Sequence, residues 1–152
     1  MSNNNDQSTL FTPGRTIILV SNLFYSIGAF LADFNVTHVY NPRWPPHARF
    51  HNGQTMTLGV MLASFSVYQA FSPYFQRQEI RPEQARERML WSAVVGSMYC
   101  ASACSAILYP GTAWKDPEIT VGGGQKWAFT GQVVLVWLAY WLESRRLKLK
   151  EA

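Results

Sequence analysis

The three histidines of this chain, His38, His47 and His51, all fall within residues 33–54, together with Asp33, Tyr40, Asn41, Arg43, Trp44, Arg49 and Gln54. Pro45 and Pro46 stop any preceding helix and suit the first turn of a new one. A helix starting near Pro46 sets His47 and His51 at i and i+4, on one face that continues through Thr55, Leu58 and Leu62. Asp33 approaches this face if the intervening loop folds back. Four readings compete. Histidines at i and i+4 chelate a metal ion, with His38 and Asp33 as further ligands. An imidazole oriented by a carboxylate is a general acid or base at neutral pH. The histidines with Arg43 and Arg49 suit a lipid or partner headgroup. The segment is otherwise a structural re-entrant loop. No HExxH motif and no second histidine pair accompany the metal reading, so acid–base chemistry is carried forward. Asp33 is its base or nucleophile, His38, His47 and His51 its acids or orienting groups, and Tyr40 a further proton donor. No metal is expected. No cofactor is expected either, and the sequence holds no nucleotide-binding motif.

The elements that position these residues are apolar. Only 14% of the 152 residues are charged, against roughly 25% in a typical soluble domain. Mean hydropathy is near zero, at −0.06, because the polar residues are bunched between long apolar runs. Four such runs, about 16–34, 55–75, 89–109 and 127–142, approach the ~20 helical residues that cross a ~30 Å hydrocarbon core. They are apolar around most of their circumference, unlike the amphipathic helices that cover a soluble core. The expected fold class is therefore all-α, an integral membrane four-helix bundle forming one domain over residues 1–152.

Basic residues set the orientation. With both termini cytoplasmic, that side holds Arg15, Arg77, Arg81, Arg86, Arg88, Arg145, Arg146, Lys148 and Lys150, while Arg43, Arg49, Lys115 and Lys126 lie opposite. The polar tails 1–14 and 144–152 are then cytoplasmic, and the histidines face the other side. Trp91, Trp127, Trp137 and Trp141 lie towards run ends, where aromatic belts form. The sequence before the first run lacks a basic stretch, so that run is expected to stay as an anchor. Asn35-Val36-Thr37 is a glycosylation sequon so close to the first run that it is expected to be unmodified. Cys100 and Cys104 lie inside an apolar run and are expected to be reduced packing residues. The net charge of +4 is too small and scattered to point to nucleic acid.

Small residues on the third run, among them Ala93, Gly96, Ser97 and Ala101, let helices approach closely in lipid. Asn22, Tyr25, Tyr68, Gln69, Tyr99 and Gln132 are the polar groups within the runs, and amides at such depth face a bundle interior. Asn22, Tyr25 and Gln132, with Asn41, Trp44 and Arg49 from the loop, are the expected substrate contacts. Gly122-Gly123-Gly124 follows no strand and reads as a flexible connector. Glu143 is expected at the cytoplasmic end, far from the histidines.

Thr37-His38, Asn41-Pro42, Trp44-Pro45-Pro46-His47-Ala48-Arg49-Phe50-His51 and Gln54 together resemble the motif of an uncharacterised family of small four-span fungal and bacterial membrane proteins. In span order the resemblance covers nearly the whole chain. In architecture alone the chain is similar to DoxX-like proteins and to the emopamil-binding sterol isomerases, which protonate a lipophilic alkene with buried carboxylates and a histidine. The intramembrane carboxylates of those isomerases are not matched here. The resemblance implies a bundle enclosing an apolar pocket with acid–base groups at its mouth, working in terpenoid or polyketide biosynthesis. The expected reaction is epoxide opening by hydrolysis or cyclisation, or double-bond isomerisation. Its partners are a lipophilic small molecule, membrane lipids and, as an option, further copies of the chain. The expected location is multi-pass in the membrane of the endoplasmic reticulum. The competing class is non-catalytic: a lipid-binding protein, carrier or membrane assembly factor.

Overall fold

The structure, a computed structural model, describes residues 9–75, 80–115, 117 and 124–151. Among these residues the chain is all-helical: α1 (Pro13–Asp33), α2 (Pro46–Phe75), α3 (Pro82–Ser105) with a 3-10 turn at Ala106–Leu108, and α4 (Gln125–Glu151). Asp116, Glu118 and the first two glycines of the connector before α4 lie outside the described residues, as does Arg77.

Each start is marked by local chemistry. Thr12 caps α1, its hydroxyl accepting from the Arg15 amide, and Pro13 follows at the first helical position, where a missing N–H costs nothing. Pro46 opens α2, and the Pro45 carbonyl accepts from the amides of Ala48 and Arg49. Pro82 opens α3, and the Gln84 side chain accepts from the Arg81 amide.

The four helices run antiparallel in a ring. α1 and α3 each pack on both α2 and α4, and α2 and α4 do not meet among the described residues. Contacts in depth order give the directions: Arg15 meets Ala70, Asn22 meets Ser66, Tyr25 meets Gly59 and Asp33 meets Asn52. The ends of α1 and α4 are tied by Thr12 and Glu143. One end of the bundle therefore carries the start of α1, the end of α2, the start of α3 and Glu143. The other carries the loop between α1 and α2.

Two apolar clusters fill the ring. Ile18, Ala70, Phe71, Met89, Val136 and Ala139 form one, nearer the Glu143 end, and Tyr25, Ala63, Tyr99 and Cys100 form the other. Between them lies a polar layer. Asn22 is fully buried and donates to the Ile18 carbonyl and to the Ser66 hydroxyl. Ser66 and Ser92 each donate to the other's carbonyl, at 2.8 Å both ways. Gly96 lies against this layer: a Cβ there would sit 2.7 Å from Ser66 Oγ, so no larger residue lets α3 approach. Gly14 plays the same part between α1 and α4, where a Cβ would meet the Ala139 carbonyl at 2.7 Å.

The outside is apolar as well. Phe24 and Leu31 on α1, Met61 and Phe65 on α2, Trp91 and Met98 on α3 and Val134 and Trp141 on α4 are all exposed. Two helices, Pro13–Asp33 and Pro82–Leu108, are long and apolar enough to cross a membrane. The four expected apolar runs fall on the four helices, the third running on through the 3-10 turn to one residue past it, and α2, α3 and α4 each extend beyond their runs into polar sequence. Cys100 and Cys104 are both free thiols.

Candidate functional site

The loop between α1 and α2 is built by side chains that supply the turns the backbone cannot close alone. Asn35 donates to the Leu31 and Ala32 carbonyls at the end of α1, and its own oxygen accepts from the amide and hydroxyl of Thr37. The sequon asparagine is thus bonded at both ends of its amide. Asn41 repeats the device further on, donating to the Thr37 carbonyl and accepting from the Arg43 amide. Arg49, on the first turn of α2, donates to the Asn41 carbonyl at 2.8 Å and ties the loop to the helix. Trp44 packs edge-on to the His38 ring, with centroids 5.0 Å apart.

This loop sets His38 beside Asp33. His38 Nε2 lies 3.8 Å from Asp33 Oδ1, and both side chains are partly exposed. The other ring nitrogen, Nδ1, is 2.7 Å from the Thr37 hydroxyl. That hydroxyl has one proton, and the Asn35 oxygen, an acceptor only, takes it at 2.6 Å. The Thr37 oxygen must then accept from His38, which puts a proton on Nδ1. Nε2 faces the carboxylate with a lone pair in the neutral ring, or with a second proton in the charged one. Asp33 Oδ2 is held from the other side by Asn52 Nδ2 at 2.9 Å. Asn52 is buried, and its oxygen has no partner among the described residues. Asp33, His38 and Asn52 therefore make a carboxylate–imidazole unit with one unoccupied acceptor beside it. Such a unit can take a proton from one group and deliver one to another.

The remaining expected residues separate into three places. His47 and His51 pair with each other, Nε2 to Nε2 at 3.0 Å, on the exposed start of α2. Tyr40 is exposed and packs edge-on to Phe34. Tyr25 lies inside the bundle, stacked on Tyr99 and donating to the Gly59 carbonyl at 3.0 Å. Asn22 is engaged in the polar layer and Gln132 is buried, and Asn22 Oδ1 and Gln132 Nε2 have no partner among the described residues. Asn41, Trp44 and Arg49 make their contacts within the loop and its anchor. Among the described residues no three His, Cys, Asp or Glu side chains lie close enough to share a metal ion. A cleft of about 330 Å³ lined by Gln69, Ile80, Gln84, Glu87, Arg88 and Trp91 lies at the end of the bundle opposite the histidines.

Two polar groupings go beyond the sequence reading. Asn52 stands next to His51 in sequence, yet only the packing of α2 on α1 reveals it as the residue that holds Asp33. At the far end, Glu143 is 1% exposed and gathers Thr12 at 2.6 Å, Arg146 at 2.6 Å and Arg15 at 3.8 Å. Arg15 also donates to the Ala70 carbonyl and the Tyr74 hydroxyl, which joins α1, α2 and α4. An arginine directly before the first apolar run was the available signal.

No curated protein and no solved structure matches the chain. A family model does, over residues 17–152, and its description is Family of unknown function (DUF6640). That match takes in all four helices but the first turn of α1, together with the whole Asp33–His38–Asn52 unit, and the chain belongs to this family.

Proposed function

We propose that this chain is a four-span membrane enzyme of redox-neutral acid–base chemistry, opening a lipophilic epoxide with water or with a hydroxyl of the substrate itself. The observation that carries the reading is the Asp33–His38 pair, 3.8 Å apart, with the carboxylate held by Asn52. In the reaction, the Asp33 carboxylate takes the proton of the attacking hydroxyl as the new C–O bond forms. The epoxide C–O bond breaks, and the departing oxygen takes the Nε2 proton of charged His38. A proton passed from Asp33 to His38 restores the pair. The separation of 3.8 Å is longer than a hydrogen bond, as catalytic contacts often are before substrate binds. Double-bond isomerisation uses the same pair, with a carbon as proton acceptor and donor.

Membrane embedding is supported by the distribution of polarity. Every helix exposes large apolar side chains, while Asn22, Ser66, Ser92, Gln132, Arg15 and Glu143 are buried. In lipid the bundle interior is where such groups find partners, as Ser66, Ser92, Arg15 and Glu143 do, while the apolar faces meet lipid. It extends to α2 and α4 the spanning role that length and composition give to α1 and α3. A lipophilic substrate reaches such a site from the bilayer.

The test is conversion of a lipophilic epoxide or polyene by membranes containing each variant, with expression checked. Asp33→Asn and His38→Ala are each expected to lower turnover by roughly a hundredfold or more, as loss of an acid–base group does. Asn52→Ala, which releases the carboxylate, should lower it less. Full activity in both Asp33→Asn and His38→Ala would discard the enzyme reading in favour of a lipid carrier or assembly factor.

A further inference from the structure

His47 and His51 take no part in the Asp33 unit, and their geometry has a chemistry of its own. Both are exposed, in the first two turns of α2. His51 Nδ1 lies 3.2 Å from Gln54 Oε1. That oxygen only accepts, so Nδ1 carries the proton of the neutral ring and Nε2 keeps its lone pair. Metal-binding histidines are commonly fixed in this way, the outer nitrogen bonded to an acceptor and the inner one free to ligate. The lone pair of His51 Nε2 accepts from His47 Nε2, 3.0 Å away, and His47 ligates in its other tautomer, with the proton on Nδ1. Phe50 braces both rings, parallel to His47 at 6.2 Å and edge-on to His51 at 5.6 Å.

We infer that His47 and His51 form a bidentate site for an exchangeable divalent transition-metal ion, with water in its other positions. The i and i+4 placement on one helix face lets both exposed rings turn onto one ion, each Nε2 ligating at about 2.0–2.1 Å. The general order of affinity for nitrogen ligands favours Cu2+ first and Ni2+ next among the commoner candidates. Two imidazoles and no third protein ligand among the described residues give an ion that exchanges with solution. Purified protein is then expected to carry no stoichiometric metal, as the sequence reading has it, and yet to bind the ion when it is supplied.

The experiment titrates the full chain, free of any affinity tag and held in lipid nanodiscs, with Ni2+ alone by calorimetry. A saturable isotherm with one site per chain is expected. His47→Ala and His51→Ala should each weaken it by at least about tenfold, the scale on which losing even an outer partner of a ligand acts. Gln54→Ala should weaken it less, and Gln54→Glu, which keeps the acceptor, should restore it. Wild-type protein with one equivalent of Cu2+ supplies a readout that needs no variant: its electron paramagnetic resonance spectrum should show coupling to two imidazole nitrogens. An isotherm unchanged in both His→Ala variants, or a copper spectrum without nitrogen coupling, overturns the site. Neither result touches the Asp33–His38 reading, because epoxide turnover is measured separately and without added metal.

Discussion

Two carboxylates at opposite ends of the bundle show how neighbours set a residue's work. Asp33 is partly exposed, held by one amide and faced by one imidazole that it does not quite touch. Glu143 is sealed in and fully engaged by Thr12, Arg146 and Arg15. The first arrangement leaves a carboxylate able to exchange a proton, and the second leaves one whose task is to hold. Glu143→Gln removes the counter-charge of a buried arginine, a change that costs about 3 kcal/mol or more. Its melting midpoint in detergent is expected to fall by roughly 6–12 °C for a chain of this size, while turnover per folded molecule stays within a factor of about two. A midpoint equal to wild type would show that the cluster contributes nothing to stability. The difference between the two acids was only half visible in the sequence. His38 stands five residues from Asp33, so their meeting follows from one loop. Thr12 and Glu143 are separated by 131 positions, and nothing local announces that they touch, so Glu143 read as an ordinary charge at a helix end.

At the scale of elements, sequence and structure agree where a local signal exists. Pro45-Pro46, read from the sequence as a helix start, opens α2, and Thr12-Pro13 and Arg81-Pro82, not read there, open α1 and α3 for the same reason: a fixed φ and a missing N–H suit a first turn and no later one. The expected apolar runs lie on helices for the same reason that they were recognisable, their length. Which faces meet was not legible, because the helices are apolar on nearly every side and no stripe marks the interior. Contact is instead fixed by small residues and amides: Gly14, Gly96, Ser66, Ser92 and Asn22 determine how closely the ring closes. The pairing of α3 with α4 can be tested directly. Cys104 Sγ lies 3.8 Å from Thr130 Oγ1 near the histidine end of the bundle. In a Cys100→Ala background, Thr130→Cys should form a disulfide with Cys104 under a mild oxidant. With a protease site placed in the 110–124 connection, the cut halves should then stay joined on a non-reducing gel and part on reduction. Halves that separate without reduction would show that α3 and α4 do not face each other there.

The whole molecule is apolar outside as well as in much of its interior, and that surface together with the charges at its ends predicts where each end lies. Large apolar side chains are exposed along all four helices, and the buried positions include a serine–asparagine layer and a buried acid–arginine cluster. In water such a surface would drive aggregation, whereas in a bilayer it is the contact with lipid. The protein is therefore expected to stay with membranes through alkaline carbonate extraction. An antiparallel four-helix ring returns both termini to one side, the side of the α2–α3 connection. Basic residues concentrate at that end, where Arg81, Arg86, Arg88, Arg145, Arg146 and Lys148 lie, against Arg43, Arg49, Lys115 and Lys126 at the other. Such an excess faces the cytoplasm. In sealed microsomes with the cytoplasmic face outward and both native cysteines replaced, an impermeant maleimide should modify Arg81→Cys and Leu149→Cys at once. Val36→Cys, in the exposed loop beside the histidines, should react only after detergent. Labelling of Val36→Cys alone in sealed vesicles would reverse the orientation and place the histidines in the cytoplasm. Labelling of all three positions, with release by carbonate, would remove the bilayer from the account and leave the exposed apolar faces to be covered by protein.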